Sequence, residues 1–367
     1  MFHILLIVHG VLGLAGFQPL PVSNSSFEEE SLSWEVGGGL QAENACIVTP
    51  GATADTSRGK CLALGLGHHV QTVDLVIDSL EVGSSVDVNL SLRASKEDAL
   101  LAVELVGDDG AVLAEHVLDP TRAWSRYRAI LATNDNATGP CRVRLSRTGG
   151  RGRILIDNIA MEHVGPVEDD FVSLFDGKSL DGWIGDTEGY EVFDEAIRCK
   201  PEQGGDLRSV DEYEDFVLRF EFKLSPGGNN GIAVRAPVKG NAAYEGMEIQ
   251  VLDSMSPGYA TLKPWQYHGS AYGIAAAERG WLLPPGSWNR EEIRLEGSHL
   301  KVTLNGHVIL DVDVQAAIQA GAPSGNAHAG ASRTSGHIGF CGHGSDVSFR
   351  DIRIQTLGSA KPTSPTE

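Results

Sequence analysis

The sequence predicts an all-β protein built from two antiparallel sandwiches, and three observations lead there. Chain-reversing residues are abundant, with 44 Gly and 16 Pro among 367 residues, while few runs carry the 3.6-residue spacing of an amphipathic helix. Apolar and polar residues alternate in many short runs bounded by Gly, Asp and Asn, which is the pattern of half-buried strands. The character of the chain changes at Gly165-Pro-Val-Glu-Asp-Asp170, a polar, proline-bearing segment suited to a linker, and the chain is long enough for two hydrophobic cores.

Taken in order, Met1 to Gly16 has an apolar run from Ile4 to Ala15 ending in small residues, as expected of a secretory signal peptide. Only the terminal amine supplies positive charge ahead of that run, and the run is short for a bilayer span. No other segment is long and apolar enough for a membrane helix. The mature chain is therefore expected to be exported, secreted or periplasmic, with no transmembrane segment left after signal removal.

A formal charge of -20 argues against nucleic acid or an anionic membrane as partner, because both attract the opposite sign. A neutral sugar is indifferent to that field. The five cysteines, Cys46, Cys61, Cys141, Cys199 and Cys341, are too scattered for a zinc motif and too few for a disulfide framework. Cys46 with Cys61 is the one plausible bridge, and the odd count leaves a free thiol. Asn24, Asn89 and Asn136 each begin an N-x-Ser/Thr triplet, which carries no weight without a known host.

The first domain is expected over residues 23–164. Val86, Val88, Leu90 and Leu92 make one alternating run, Leu101, Val103 and Leu105 another, and Val143 with Leu145 a third, which together argue for an antiparallel sandwich or jelly roll. Trp34, Trp124 and Tyr127 are the aromatics that could stack on a pyranose, with core packing the competing reading. Asp157 and Asn158 fit local turn roles. No catalytic constellation is present in this half.

The second domain is expected over 171–357, followed by a disordered tail at 358–367. Phe216, Leu218, Phe220, Phe222 and Leu224 alternate with Val217, Arg219, Glu221 and Lys223, a half-buried strand. Asn305-Gly306 between Leu300-Val302-Leu304 and Val308-Leu310-Val312 predicts a hairpin with a type I′ turn. Val314 to Ala320 could form a short helix, and residues 321–335 read as a small-residue loop expected to move.

The stretch from Gly227 to Asp253 organises the rest of this domain. Alternation in Gly231 to Arg235 puts Ile232 and Val234 in the core and Ala233 and Arg235 on the other face. In Gly246 to Leu252 it buries Met247, Ile249 and Val251 and places Glu248 and Gln250 opposite. A guanidinium, a carboxylate and an amide on one sheet face could fix a polyhydroxylated ligand; a solvated outer face with an ordinary ion pair is the competing reading.

Two resemblances add to this. Asn24-Ser-Ser-Phe27-Glu28, Trp34, Gly59-Lys60-Cys61-Leu62-Ala63-Leu64, Trp124-Ser-Arg-Tyr127 and Ile156-Asp157-Asn158-Ile159 occur in an order that resembles the galactose-binding-like jelly-roll modules, some of which bind carbohydrate. Leu174-Phe-Asp-Gly-Lys-Ser-Leu-Asp-Gly-Trp183, Pro226 to Ile232 ending in Arg235, Tyr244 to Asp253, Gly269-Ser-Ala-Tyr-Gly273, Gly286-Ser-Trp-Asn289, Leu304-Asn-Gly306 and His343-Gly344 with Phe349-Arg350-Asp-Ile-Arg-Ile354 resemble the 3-keto-disaccharide hydrolase family. That second resemblance implies a concanavalin-like lectin/glucanase sandwich acting on sugars that a separate oxidoreductase has oxidised at carbon 3.

A ketone at carbon 3 acidifies the proton on carbon 2, so a base can remove it and the glycosidic oxygen on carbon 1 can leave by elimination before water adds back. That route needs one base, an acid for the leaving oxygen and a group to hold the enolate. A retaining glycosidase on this fold instead places carboxylates on alternate residues of one strand, whereas here Glu248 is followed in phase by Gln250 and Leu252. Glu248 is the expected base, Arg235 the expected enolate-holding cation and His343, in Cys341-Gly-His-Gly344, the expected acid; the base and acid roles could be exchanged.

Gln250, Asp253, Tyr272, Arg350 and Asn230 are expected to bind or orient hydroxyls, and Trp265 and Trp281 to offer a stacking platform. Arg350 is in phase with Ile352 and Ile354, so it either points inward through a bulge or pairs with a buried carboxylate. Asp253 could instead cap a turn. Cys341-Gly342 stands where relatives usually have Gln-Asp, Asn230 replaces a common Ser and Asp351 a common Asn. No dinucleotide or phosphate-binding motif occurs, so no cofactor is expected, and a metal shared by Glu248, Asp253 and His343 is not expected either. A non-catalytic glycan-binding lectin and an ordinary β-glucanase are the alternatives. Oligomeric state is not legible.

Overall fold

The structure is a computed structural model that describes residues 84–96, 98–132, 137–164 and 170–358, together with short strand segments between 17 and 80. The stretch where the signal peptide is expected, residues 1–16, and all but Gly358 of the tail expected over 358–367 lie outside the described residues. The fold is all-β apart from short helical turns, and the chain divides into two compact units with a boundary between Glu168 and Asp169.

In the first unit, one sheet orders Ser125–Ala132, Ser85–Ala94, Ile154–Val164, Cys61–Leu64 and Ala45–Val48, with Phe17–Leu20 also paired to Ile154–Val164. The other orders Trp34–Gly37, His69–Thr72, Ala137–Gly149, Leu100–Gly107 and Val112–Leu118, with Ile77–Leu80 also paired to Ala137–Gly149. The alternating residues read from the sequence, Val86, Val88, Leu90, Leu92, Leu101, Val103, Leu105, Val143 and Leu145, are fully buried in one core. Each such side chain stabilises the sandwich by about 1.5–3 kcal/mol relative to exposure.

Tyr127 packs against that core and its hydroxyl accepts a hydrogen bond from the Thr121 amide at 2.9 Å, so it serves packing. Cys46 lies opposite Ala63 and Cys61 opposite Val48; their side chains, and that of Trp34, lie outside the described residues.

The second unit has an eight-stranded sheet in the order Tyr190–Phe193, Ala196–Cys199, Val347–Thr356, Phe216–Leu224, Trp288–Glu296, His299–Leu304 and His307–Asp313, with Val172–Ser173 also paired to Val347–Thr356. Its five-stranded partner runs Trp183–Gly185, Gly205–Tyr213, Gly336–Gly342, Asn229–Ala236 and Met247–Leu252. Phe340 of the smaller sheet stacks on Phe349 of the larger at 4.0 Å between ring centres, which fixes the face each sheet turns inward.

Local structure follows the chemistry of the chain. Asn305 and Gly306 both adopt positive φ, 50° and 82°, as a type I′ turn requires. The expected helix forms over Val314–Gln319, capped by Asp313, whose carboxylate accepts from the Ala316 amide at 2.9 Å. A single helical turn, Ala242–Glu245, was not legible in the sequence; Asn241 caps it through the Ala243 amide.

Among the places where strict alternation fails, two move a candidate residue. The register between Asn229–Ala236 and Gly336–Gly342 shifts between Ala233 and Ala236, with Arg235 at φ 47°. In Val347–Thr356 the register shifts opposite Arg219 and Glu221, with Asp351 at φ 51°, so that Phe349 and Ile352 are both buried. A bulge inserts one residue and reverses the phase of everything beyond it.

Candidate active site

The five-stranded sheet turns Ile232, Val234, Met247, Ile249 and Val251 inward, all essentially unexposed. Residues directly opposite in paired strands share a face. Register therefore places Ala233 beside Glu248 and Gly231 beside Gln250, then Gly339 beside Ala233, and finally Arg208 beside Gly339 and Asp206 beside Cys341. The outward face thus has a floor of small residues, Gly231, Ala233, Gly339 and Cys341, with polar side chains at either margin.

Glu248 lies across that floor. A Cβ on Gly231 would stand 2.1 Å from Glu248 Oε1, so only glycine leaves the carboxylate its place. On its other side, the Tyr272 amide donates to the Glu248 carbonyl at 2.9 Å, and Ile249 bridges to Ala271; this register sets Tyr272 next to Glu248. The Tyr272 hydroxyl accepts from Gln266 Nε2 at 3.0 Å, and Trp265 meets the ring edge-on at 5.1 Å. Gln250 donates through Nε2 to Asn229 Oδ1 at 2.8 Å.

His343 reaches the same place from the far end of Gly336–Gly342. Its imidazole is half-exposed, and Nε2 stands 3.9 Å from Glu248 Oε1, longer than a hydrogen bond and within ion-pair range. The Glu248 carboxylate raises the His343 pKa above the ordinary imidazole value, with Asp206 adding to it and burial opposing. Gly342 is required where the loop turns, because a Cβ there would meet the Tyr190 hydroxyl at 2.6 Å.

Arg208 is the residue that the sequence reading missed. Its side chain is fully buried, Nη1 donates to the Phe340 carbonyl at 2.9 Å and Nη2 stands 2.9 Å from Asp206 Oδ1. Burial pushes the neighbouring Cys341 thiol up, and the Glu248 carboxylate pushes the same way, so that cysteine stays an uncharged part of the floor. The signal available was phase: Asp206 and Arg208 alternate with Leu207 in Gly205–Tyr213.

The structure brings together Glu248, Gln250, Tyr272, His343 and, through Tyr272, Trp265. It takes Arg235 elsewhere. Past the bulge, that guanidinium donates to the carbonyls of Glu214 at 2.8 Å and Gly297 at 2.7 Å and to Asp215 at 2.7 Å. Arg350 is on the eight-stranded sheet, where it pairs with the buried Glu221 at 2.8 Å and lies 4.0 Å from the Trp288 ring centre; of the two alternatives its phase allowed, pairing with a carboxylate is the one realised.

Asp253 accepts from the Gly227 amide at 2.8 Å and the Met255 amide at 3.2 Å, a turn-holding role. Asn230 faces the core, opposite Val251 and fully buried, with Oδ1 accepting from the Gly231 amide. Trp281 is buried and donates to Glu278 at 3.0 Å, so it is no platform. Among the described residues, no group of three or more His, Cys, Asp or Glu is placed to hold a metal ion.

Comparison with known proteins places this half of the chain among carbohydrate-active relatives. A 3-keto-disaccharide hydrolase of Bacteroides thetaiotaomicron is 28% identical over 233 residues, covering 52% of this chain and 80% of that protein. Two solved structures of proposed glycosyl hydrolases from Parabacteroides distasonis are similar. One is 26% identical, covers 52% of this chain and 100% of its own, with a TM-score of 0.46; the other is 24% identical, covers 52% and 95%, with a TM-score of 0.45. The model of the 3-keto-alpha-glucoside-1,2-lyase-like domain matches residues 170–355, just over half of the chain and every residue of the site described above, and the chain belongs to that family.

Proposed function

We propose that this protein cleaves 3-keto-glycosides by elimination and hydration. Family and relative support a glycoside-cleaving role, and the observation that carries the chemistry is the pairing of one carboxylate, Glu248, with one imidazole, His343, on an otherwise small-residue face. Glu248 takes the proton from carbon 2, the electron pair moves toward the carbon 3 oxygen, and the bond from carbon 1 to the glycosidic oxygen breaks. His343, whose pKa its carboxylate neighbour raises, gives its proton to the leaving oxygen. Water then adds at carbon 1 and the proton returns to carbon 2.

The enolate-holding role expected of Arg235 passes to the Glu248 face. The Tyr272 hydroxyl accepts from Gln266 and so has its own proton to donate to the developing oxyanion. A conventional glycosidase is disfavoured by the placement of the other carboxylate on the face. Asp206 sits three strands from Glu248 and is held by Arg208, whereas a retaining pair needs a second carboxylate free to act beside the first. The apolar run from Ile4 to Ala15 supports export, with the sugar substrate oxidised beforehand by a separate oxidoreductase.

The test is incubation in deuterium oxide with a 3-keto-glucoside and with its unoxidised parent. Release from the keto substrate alone, with deuterium at carbon 2 of the product and loss in Glu248→Gln, is expected. Cleavage of the parent would return the protein to the β-glucanases. Binding of glycan without turnover of either substrate would make it a lectin.

A further inference from the structure

Beside the Glu248 face, residues 321–335 are joined to the rest of the unit by hydrogen bonds through His328 and Ser324. His328, only 4% exposed, has Nδ1 at 2.9 Å from the Ala243 carbonyl and Nε2 at 2.9 Å from Ser324 Oγ. A carbonyl can only accept, so Nδ1 donates to it, while Nε2 pairs with the Ser324 hydroxyl. Ser324 in turn accepts from the Asn326 amide at 3.2 Å, and its own amide donates to the Gly273 carbonyl at 3.3 Å. A Cβ on Gly273 would meet His328 Cε1 at 2.7 Å, so the loop presses directly on the residue that follows Tyr272.

What this arrangement presents is Tyr244 and Asn326. The half-buried Tyr244 ring stacks on His328 at 5.1 Å between centres, and Asn326 Nδ2 donates to the Tyr244 hydroxyl at 3.2 Å. Among the described residues, no protein partner is seen for the Tyr244 hydroxyl proton or for Asn326 Oδ1, one donor and one acceptor on adjoining side chains. A vicinal pair of sugar hydroxyls offers the complementary set. His328, with both ring nitrogens bonded, fixes the ring orientation and contributes nothing else to the surface.

We infer that Tyr244 and Asn326 form a second saccharide subsite, adjoining Glu248 by way of Gly273 and Tyr272, that takes two neutral hydroxyls of the sugar ring on the far side of the scissile bond. The inference rests on the glycoside-cleaving reading and adds to it a preference for a sugar leaving group over a non-sugar one. His328 is a positioning residue for that subsite.

The test compares a 3-keto-disaccharide with an aryl 3-keto-glucoside, which lacks the second ring, in the full chain and in Tyr244→Phe and Asn326→Ala. The ratio of kcat/KM on the disaccharide to kcat/KM on the aryl glucoside is expected to fall about fivefold to tenfold in each variant, the scale of one neutral hydrogen bond. An unchanged ratio overturns the subsite. Absence of turnover on both substrates in the wild type would instead overturn the enzyme reading; calorimetric binding of the unoxidised disaccharide then decides the subsite, which survives if both variants weaken binding and falls if neither does.

Discussion

His343 Nε2 and Glu248 Oε1 face each other at 3.9 Å across the floor of Gly231, Ala233 and Gly339. Glu248 lies in Met247–Leu252 and His343 directly follows Gly336–Gly342, strands that are not neighbours, since Asn229–Ala236 runs between them. Only the lack of side-chain bulk on that middle strand lets them meet.

The pairing sets a pH dependence. Carboxylate proximity raises the His343 pKa, so the imidazolium persists above the ordinary value of about 6.5. By linkage, the contribution of this group to folding is fully present below about pH 6.5 and is lost as pH rises through the elevated folded value. Proton NMR of the His343 ring should show a midpoint above that of a free imidazole in the wild type and a lower one in Glu248→Gln. Equal midpoints would sever the two residues electrostatically.

Replacing Glu248 by Gln keeps the shape of the side chain and removes the base. Turnover of a 3-keto-glucoside is expected to drop by about 10²–10⁴, the usual worth of a positioned general base. Because the carboxylate lies on the outward face, the circular dichroism spectrum should not change. Retention of more than a tenth of the activity would move the base to another residue.

How far the sequence foretold this site depends on where alternation holds. It holds through Met247–Leu252, which is why Glu248, Gln250 and the inward Met247, Ile249 and Val251 could be assigned from phase. Phase fails at Arg235, because a bulge after Ala233 is a local backbone event with no signature in residue type. The same holds at Asp351, whose positive φ returns Ile352 to the core and leaves Arg350 with Glu221. Arg208 escaped for the opposite reason: a charged residue between Leu207 and Ser209 reads as solvent-facing until its partners, the Phe340 carbonyl and Asp206, are known. His328 lay inside a run of small residues that gives no hint of the Ala243 carbonyl it meets from 85 residues away.

Gly231→Ala tests the floor itself. The backbone at Gly231 is not in the left-handed region, so alanine suits it, yet the new methyl would fall 2.1 Å from Glu248 Oε1 and 2.7 Å from Glu248 Cγ. The side chain of Glu248 must swing off the floor. The variant should fold with a thermal midpoint close to that of the wild type while kcat falls by about 10² or more, since misplacing a catalytic group by about 1 Å is enough for such a loss. Wild-type kcat in a folded Gly231→Ala protein would mean that Glu248 works from a different position.

Arg235 gives the complementary prediction, a residue whose loss costs stability rather than chemistry. Its guanidinium joins the Glu214 and Gly297 carbonyls to Asp215, which also accepts from the Gly297 amide at 2.9 Å, and its side chain is 4% exposed. Arg235→Met removes the donor that joins these groups, while Asp215, one third exposed, keeps the Gly297 amide. Losing a buried cation's hydrogen bonds to partly exposed acceptors costs about 1.5–3 kcal/mol, which in a unit of this size lowers Tm by about 5–10 °C. Arg235→Lys restores the charge but not the fork that reaches several acceptors at once, so it should recover only part of the loss. Measured below the transition, kcat per folded molecule should change little in either variant. A collapse of kcat at unchanged Tm would put the guanidinium back among the groups that hold the enolate.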